Sequence, residues 1–154
     1  MARLPLNVLV FPYRRGANGF EFALFRRADD AEFWQGVAGG VEDGETPLEA
    51  AHRELLEETG IRTPAARWIA LDAQGSVPAK VFRDWPRWWP DTLVVHKHSF
   101  GVDVSSAVDV MLSPEHTEWM WLDFDRAFNL TRYDSDRTAL WELNERLAMT
   151  ETSN

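Results

Sequence analysis

The sequence predicts an α/β fold, a mixed β-sheet with helices packed against it, and three observations predict it. Short β-branched and aromatic stretches recur at 8–13, 20–26, 68–73, 93–104 and 119–122, separated by turn residues. A helix with both ends marked runs over 47–58. A second, amphipathic helix begins near Ser135, with Leu140, Leu143 and Leu147 at helical spacing.

Each element has a local cause. Residues 8–13 are apolar enough for a strand, and Gly16-Ala17-Asn18-Gly19 makes a turn into 20–26, where Phe20, Phe22 and Leu24 share a face, so the two form a hairpin. Residues 36–41 are glycine-rich and extended. In the helix that follows, Thr46 is a good N-cap, Pro47 suits the first helical position and Glu49 completes a capping box. Gly60 supplies the left-handed stop. At 100° per residue Leu48, Ala51 and Leu55 fall on one side with Leu56 at its margin, while Glu54, Glu57 and Glu58 fall opposite, within about a third of the circumference. Strands at 68–73, 93–104 and 119–122 and the closing helix complete the chain. No repeat, low-complexity segment or linker divides it, so 1–154 reads as one domain.

Composition narrows the function. With 154 residues, 45% hydrophobic and 27% charged, the chain is an ordered globular one. Sixteen Lys and Arg against 25 Asp and Glu give a net charge of -9, which opposes binding to a nucleic-acid polymer. A small phosphorylated substrate stays compatible, because divalent cations bridge acid to acid. The absence of cysteine excludes disulfides, zinc-thiolate sites and thiol catalysis. The early apolar run is broken by Pro5 and Asn7 and followed by Arg14-Arg15, which reads as a first strand rather than a leader. No apolar stretch approaches the ~18–20 residues that cross a bilayer. The expectation is a cytoplasmic protein without membrane attachment.

The three glutamates carry the chemistry. Acidic residues on a helix are usually a solvated face, yet like charges at i,i+3 and i,i+4 each cost about 0.2–0.5 kcal/mol. They also crowd the negative end of the helix dipole, at about 0.3–1 kcal/mol each. A divalent cation reverses both signs, since clustered carboxylate oxygens are the ligands that Mg²⁺ or Mn²⁺ takes. Arg53 is placed to pair with Glu49 one turn before it and to reach Glu57 one turn after it, fixing a carboxylate rotamer.

Gly39, Glu45, Arg53-Glu54-Leu55, Glu57-Glu58 and Gly60-Ile61 together resemble the Nudix box, the signature of the Nudix hydrolases, over 39–61. All nine fixed or class-restricted positions are filled. The resemblance implies an α/β/α sandwich with a mixed sheet, and Mg²⁺- or Mn²⁺-dependent hydrolysis of a nucleoside diphosphate linked to another group. It makes Glu54, Glu57 and Glu58 metal ligands, and Gly39 and Gly40 the loop by which substrate phosphates approach the backbone. Arg26-Arg27, Phe33-Trp34-Gln35, Glu115-His116, Trp121-Leu122-Asp123 and Leu130-Thr131 extend the likeness to the bacterial dihydroneopterin triphosphate pyrophosphatases, grouped with dATP pyrophosphohydrolases. That likeness implies a further metal ligand in Glu115 and substrate contacts at Arg26 and Ser135. Residues 79–90 fit it poorly.

The chemistry that follows is release of pyrophosphate from a nucleoside triphosphate or a pterin analogue. A dinucleoside polyphosphate or nucleotide sugar is the alternative substrate class, and a nucleotide-sensing module without turnover the alternative of another kind. Glu57 is the first choice of general base because Arg53 can orient it, with Glu54 and Glu115 as rivals. Arg26 or Arg27 would clamp a terminal phosphate, and Glu32-Phe33-Trp34-Gln35, with Trp34 as the substrate contact, would wall the pocket. Trp85-Pro86-Arg87-Trp88-Trp89-Pro90 concentrates three of eight tryptophans, suited to a loop packed on the core or a homodimer contact before a stacked ring. His96 and His98 share a strand face without a third zinc ligand, and His52 reads as structural.

Overall fold

The computed structural model describes residues 2–105 and 109–152. Strand β1 (Arg3–Gly16) runs through the middle of a seven-stranded sheet. Along one edge it pairs antiparallel with β4 (Val37–Glu42), Val8 opposite Gly39, and then with β2 (Gly19–Arg27), Tyr13 opposite Phe22. Along the other it runs parallel to β6 (Val94–Asp103), from Leu6 opposite His96 to Tyr13 opposite Asp103. Outside these lie β5 (Trp68–Pro78) on β6, and β7 (His116–Leu122) and the two-residue β3 (Trp34–Gln35) on β2, all antiparallel. The sheet is mixed, as expected.

Successive residues of β1 face opposite layers. Val8 and Val10 pack with Ala50, Ala51 and Leu55 of α1 (Pro47–Thr59), whereas Leu9 and Phe11 pack with Leu140, Leu143 and Leu147 of α4 (Asp134–Thr152). Helices cover both faces, so 8–13 is buried without alternation. The α/β/α sandwich follows from that single strand.

Both ends of α1 are as the sequence predicts. Thr46 accepts from the Glu49 amide at 3.2 Å while Glu49 reaches back to the Thr46 amide, and Gly60 ends the helix at φ 75°. Two helices were not expected. Asp123 caps α3 (Phe124–Leu130) by accepting from the Arg126 amide, and Asp84 precedes the short α2 (Trp85–Trp88). The tryptophan-rich stretch is thus partly helical. Trp88 donates to the Arg3 carbonyl at 3.2 Å and its ring lies 6.2 Å from that of Phe82, so the segment packs against the start of β1. No helix among the described residues is long and apolar enough to cross a membrane.

Candidate active site

A cleft of about 810 Å³ opens where the glycine-rich β4 meets the start of β1, the end of β2 and the start of α4. Helix α1 lies across the sheet from α4, and its polar side reaches the cleft through Gly39. A Cβ on Gly39 would stand 2.1 Å from the Glu54 carboxyl carbon, and one on Gly40 would stand 2.1 Å from Arg3 Nε. Both glycines line the cleft, where the Nudix resemblance expects substrate phosphates, and both also leave room for the protein's own Glu54 and Arg3 side chains.

Arg53 organises the acidic end. Its Nε and Nη2 donate to the two oxygens of Glu45 at 2.7 and 3.0 Å, Nη2 also donates to the Gly40 carbonyl at 2.8 Å, and Nη1 donates to Glu54 at 2.9 Å. Glu57 receives only long contacts of 3.4–3.5 Å from the same Nη1. The expected Glu49 pairing does not form, because Glu49 is occupied in the capping box and Glu45 arrives from the preceding loop at better fork geometry. These bonds raise the Arg53 pKa further above its usual value and hold the Glu45 carboxyl below its own.

The glutamates differ in environment. Glu54 is 8% exposed and Glu58 3%, while Glu57 is exposed. Burial, helped by the charges of Glu57 and Glu58 and opposed by Arg53, pushes Glu54 up to about 7. Burial also acts to raise Glu58, but hydrogen bonds from His116 Nδ1 at 2.8 Å and Ser113 Oγ at 2.6 Å win and hold its carboxyl low. Glu115 stands on the loop that Ser113 and His116 pin to Glu58, with its carbonyl accepting from the Ala28 amide at 2.8 Å. Burial and the adjacent Glu58 carboxylate push Glu115 up. Gln35 Nε2 lies 3.4 Å from His116 Nε2, and a proton on His116 Nδ1 satisfies both contacts.

Among the described residues no three His, Asp or Glu side chains converge as a ready-made metal cage. The chemistry of the donors nonetheless fits a hard divalent cation: oxygen ligands only, with Glu54 and Glu115 pushed toward protonation by burial and by neighbouring carboxylates, Glu57 and Glu58 for the first and Glu58 for the second. His96 and His98 gain no third partner there, and His52 stacks on Trp68 with ring centroids 4.3 Å apart.

The remaining candidates divide. Arg27 lines the cleft, its guanidinium held by both oxygens of Asp29 at 2.7 and 2.5 Å. Arg26, next along β2, points to the other side and binds Thr117 and Glu118 at 2.9 and 3.1 Å. Of the expected wall, Phe33 and Gln35 line the cleft, whereas Trp34, the expected substrate contact, packs against the α4-side core. Ser135 lies beside the cleft, 3.5 Å from Asp136 Oδ1, and Asp136 is the wall residue. No motif or spacing marks Arg3, Lys97, Tyr133 or Asp136, which the fold brings into the cleft from three separate stretches of the chain.

Fold and site define a hydrolase of phosphoanhydride bonds built on an α/β sandwich. The chain belongs to the Nudix family, residues 3–142 matching the NUDIX domain. It is 30% identical over 136 residues to the dihydroneopterin triphosphate diphosphatase of Escherichia coli, covering 88% of this chain and 89% of that one. A crystal structure of a NUDIX hydrolase from Listeria monocytogenes superposes with a TM-score of 0.84 at 36% identity, over 96% of this chain and 97% of that one. The structure of the Escherichia coli dihydroneopterin triphosphate pyrophosphohydrolase gives 0.74 at 27% identity, over 95% and 99%.

Proposed function

We propose that the protein is a divalent-metal-dependent pyrophosphohydrolase that cleaves a nucleoside triphosphate, or a pterin triphosphate, with release of pyrophosphate. The observation that carries this is the Arg53-centred set of carboxylates at one end of a cleft whose rim carries Arg3, Arg27 and Arg83. The likeness to dihydroneopterin triphosphate diphosphatases over most of both chains supports the triphosphate reading.

Glu54, Glu57, Glu58 and Glu115 are the residues that would hold Mg²⁺ or Mn²⁺, which when bound neutralises phosphate charge and acidifies a water. Glu54 is the stronger candidate for general base. Arg53 holds it at 2.9 Å against 3.4 Å for the exposed Glu57, and Glu54 lines the cleft, so its carboxylate is the better oriented of the two toward a substrate there. In the step we envisage, water oxygen bonds to phosphorus, the anhydride P–O bond breaks with its electrons leaving on pyrophosphate, and the water's proton passes to Glu54. Arg27 releases Asp29 to grip phosphate oxygens bidentately. His116 and Ser113 keep Glu58 oriented throughout.

The test is pyrophosphate release with Mg²⁺ or Mn²⁺ from dATP, dGTP and dihydroneopterin triphosphate, with ADP-ribose and diadenosine polyphosphates for contrast. Turnover of the triphosphates, lowered by orders of magnitude in Glu54→Gln and Glu58→Gln, is the expected result. Tight binding of one compound with turnover of none would instead make the protein a sensor.

A further inference from the structure

Positive charge in the cleft is almost all engaged within the protein. Arg27 is held by Asp29, Arg53 by Glu45 and Glu54, and Lys97 by Asp136. Arg3 donates to Asn7 and lies over the Phe82 ring at 4.7 Å. Arg83 differs. It lines the cleft from the segment between β5 and α2, it is exposed, and among the described residues its guanidinium has no ion pair and no hydrogen bond. The acid next to it is taken, because Asp84 pairs with Arg87 at 3.5 Å. The backbone that carries Arg83 is nonetheless fixed on both sides. The Phe82 amide donates to the Ala79 carbonyl at 3.1 Å, the Trp85 amide donates to the Phe82 carbonyl at 3.2 Å, and the Phe82 ring contacts both Arg3 and Trp88.

Exposure alone would suit a solvated surface arginine, and placement separates the two readings. An anionic ligand entering this cleft meets the carboxylates of Glu42, Glu54 and Glu115 on its walls. Arg27 and Lys97 can meet such a ligand only by loosening an ion pair, whereas Arg83 gives up no partner. Its position on the rim also limits what it can hold. The carboxylates around Arg53 lie at the inner end, so the rim receives an end of the ligand rather than its middle. The two ends of a nucleoside triphosphate are the ring and the terminal phosphate, and a guanidinium fork matches two phosphate oxygens. Building on the triphosphate hydrolysis proposed above, we propose that Arg83 is a specificity-determining residue that grips the terminal phosphate, within the part that leaves as pyrophosphate. It thereby favours triphosphates over diphosphates whose second phosphate is esterified. Arg83 makes and breaks no covalent bond in this role.

Pyrophosphate and the nucleoside monophosphate divide the substrate into the part that Arg83 holds and the part that it does not. With Mg²⁺ and the best triphosphate, Arg83→Ala should raise KM about tenfold with kcat within threefold of wild type, as the loss of a charge-assisted hydrogen bond implies. Its inhibition constant for pyrophosphate should rise by a similar factor, while that for the monophosphate stays within threefold. Lys80→Ala removes the same charge from the same exposed segment outside the cleft, and should leave all these constants unchanged. A change below threefold in both KM and pyrophosphate inhibition makes Arg83 a solvated surface arginine and overturns the proposal. Equal weakening of both products, or the same effect in Lys80→Ala, also overturns it, since either marks a general field rather than a grip. Arg83 holds no partner in the fold, so the variant should keep the wild-type melting temperature. Should the wild type hydrolyse no triphosphate, the reaction proposed above fails by itself, and calorimetric titration with magnesium pyrophosphate still reads the contact. Binding at least threefold weaker in Arg83→Ala supports it, and a smaller difference, or no binding to the wild type, overturns it.

Discussion

Glu54 is stabilising for function and destabilising for the fold. In the cation-free protein its carboxyl keeps its proton up to about 7, whereas in the unfolded chain it ionises near 4.5. Folding therefore takes up a proton between those values, and stability falls as pH rises through that window. Glu54→Gln keeps an acceptor for Arg53 and removes the charge. We expect it to melt higher than wild type at pH 8 without divalent cations, by up to about 3 kcal/mol, and to match it at pH 4. Thermal melts at the two pH values check this. Arg53 makes the complementary case. Arg53→Lys keeps the charge but not the fork that holds Glu45, the Gly40 carbonyl and Glu54 together, so kcat should fall about a hundredfold with KM little changed, in steady-state assays on the best triphosphate. The helical wheel placed Glu54, Glu57 and Glu58 on one side because that is local geometry. It gave Arg53 the wrong partner because Glu45 lies in the loop before the helix, where no periodicity applies.

Between elements, Glu142 shows how an irregularity in the sheet is completed by a helix. The β5–β6 register shifts between Ala70 and Gln74, which takes the Asp72 and Ala73 amides out of the ladder. Both donate instead to Glu142 of α4, at 2.8 and 2.7 Å, and Arg146 binds the same carboxylate at 2.7 Å while reaching Asp72 at 2.9 Å. Burial acts to raise the Glu142 carboxyl, but these bonds outweigh it and hold it low. The contribution is complete above the ordinary 4.5 and is lost as pH falls through the depressed value. Glu142→Ala leaves two amides without acceptors and should cost about 2–3 kcal/mol at pH 7, read as a lower urea midpoint with kcat retained. The difference from wild type should shrink in acid. The sequence marks α1, whose caps lie within four residues of its ends, far better than this clasp. Residues 72 and 142 are joined by topology, and β5 reads as ending at Ala73 because the shift interrupts its pattern there.

Across the whole molecule, a chain with net charge -9 buries the Glu54 and Glu58 carboxyls and sets the exposed Glu115 beside Glu58, so its folded state is short of positive charge at that corner. That shortage is general as well as local, and the two respond differently to salt. Sodium chloride screens the overall repulsion without seeking the corner, whereas a divalent cation that binds only the folded form adds RT ln(1 + [L]/Kd). At ten times Kd this is about 1.4 kcal/mol, or a rise in melting temperature of about 3–6 °C for a domain of this length. We expect MgCl₂ or MnCl₂ to raise the melting temperature by that amount beyond sodium chloride of equal ionic strength. Glu58→Gln should lose most of the excess while keeping the response to sodium chloride, because its amide still accepts from His116 and Ser113 but offers a cation no charge. If magnesium and sodium curves coincide at matched ionic strength in the wild type, the buried acids are not a cation site. The crowding of carboxylates at the negative end of α1 would then be a cost that nothing offsets.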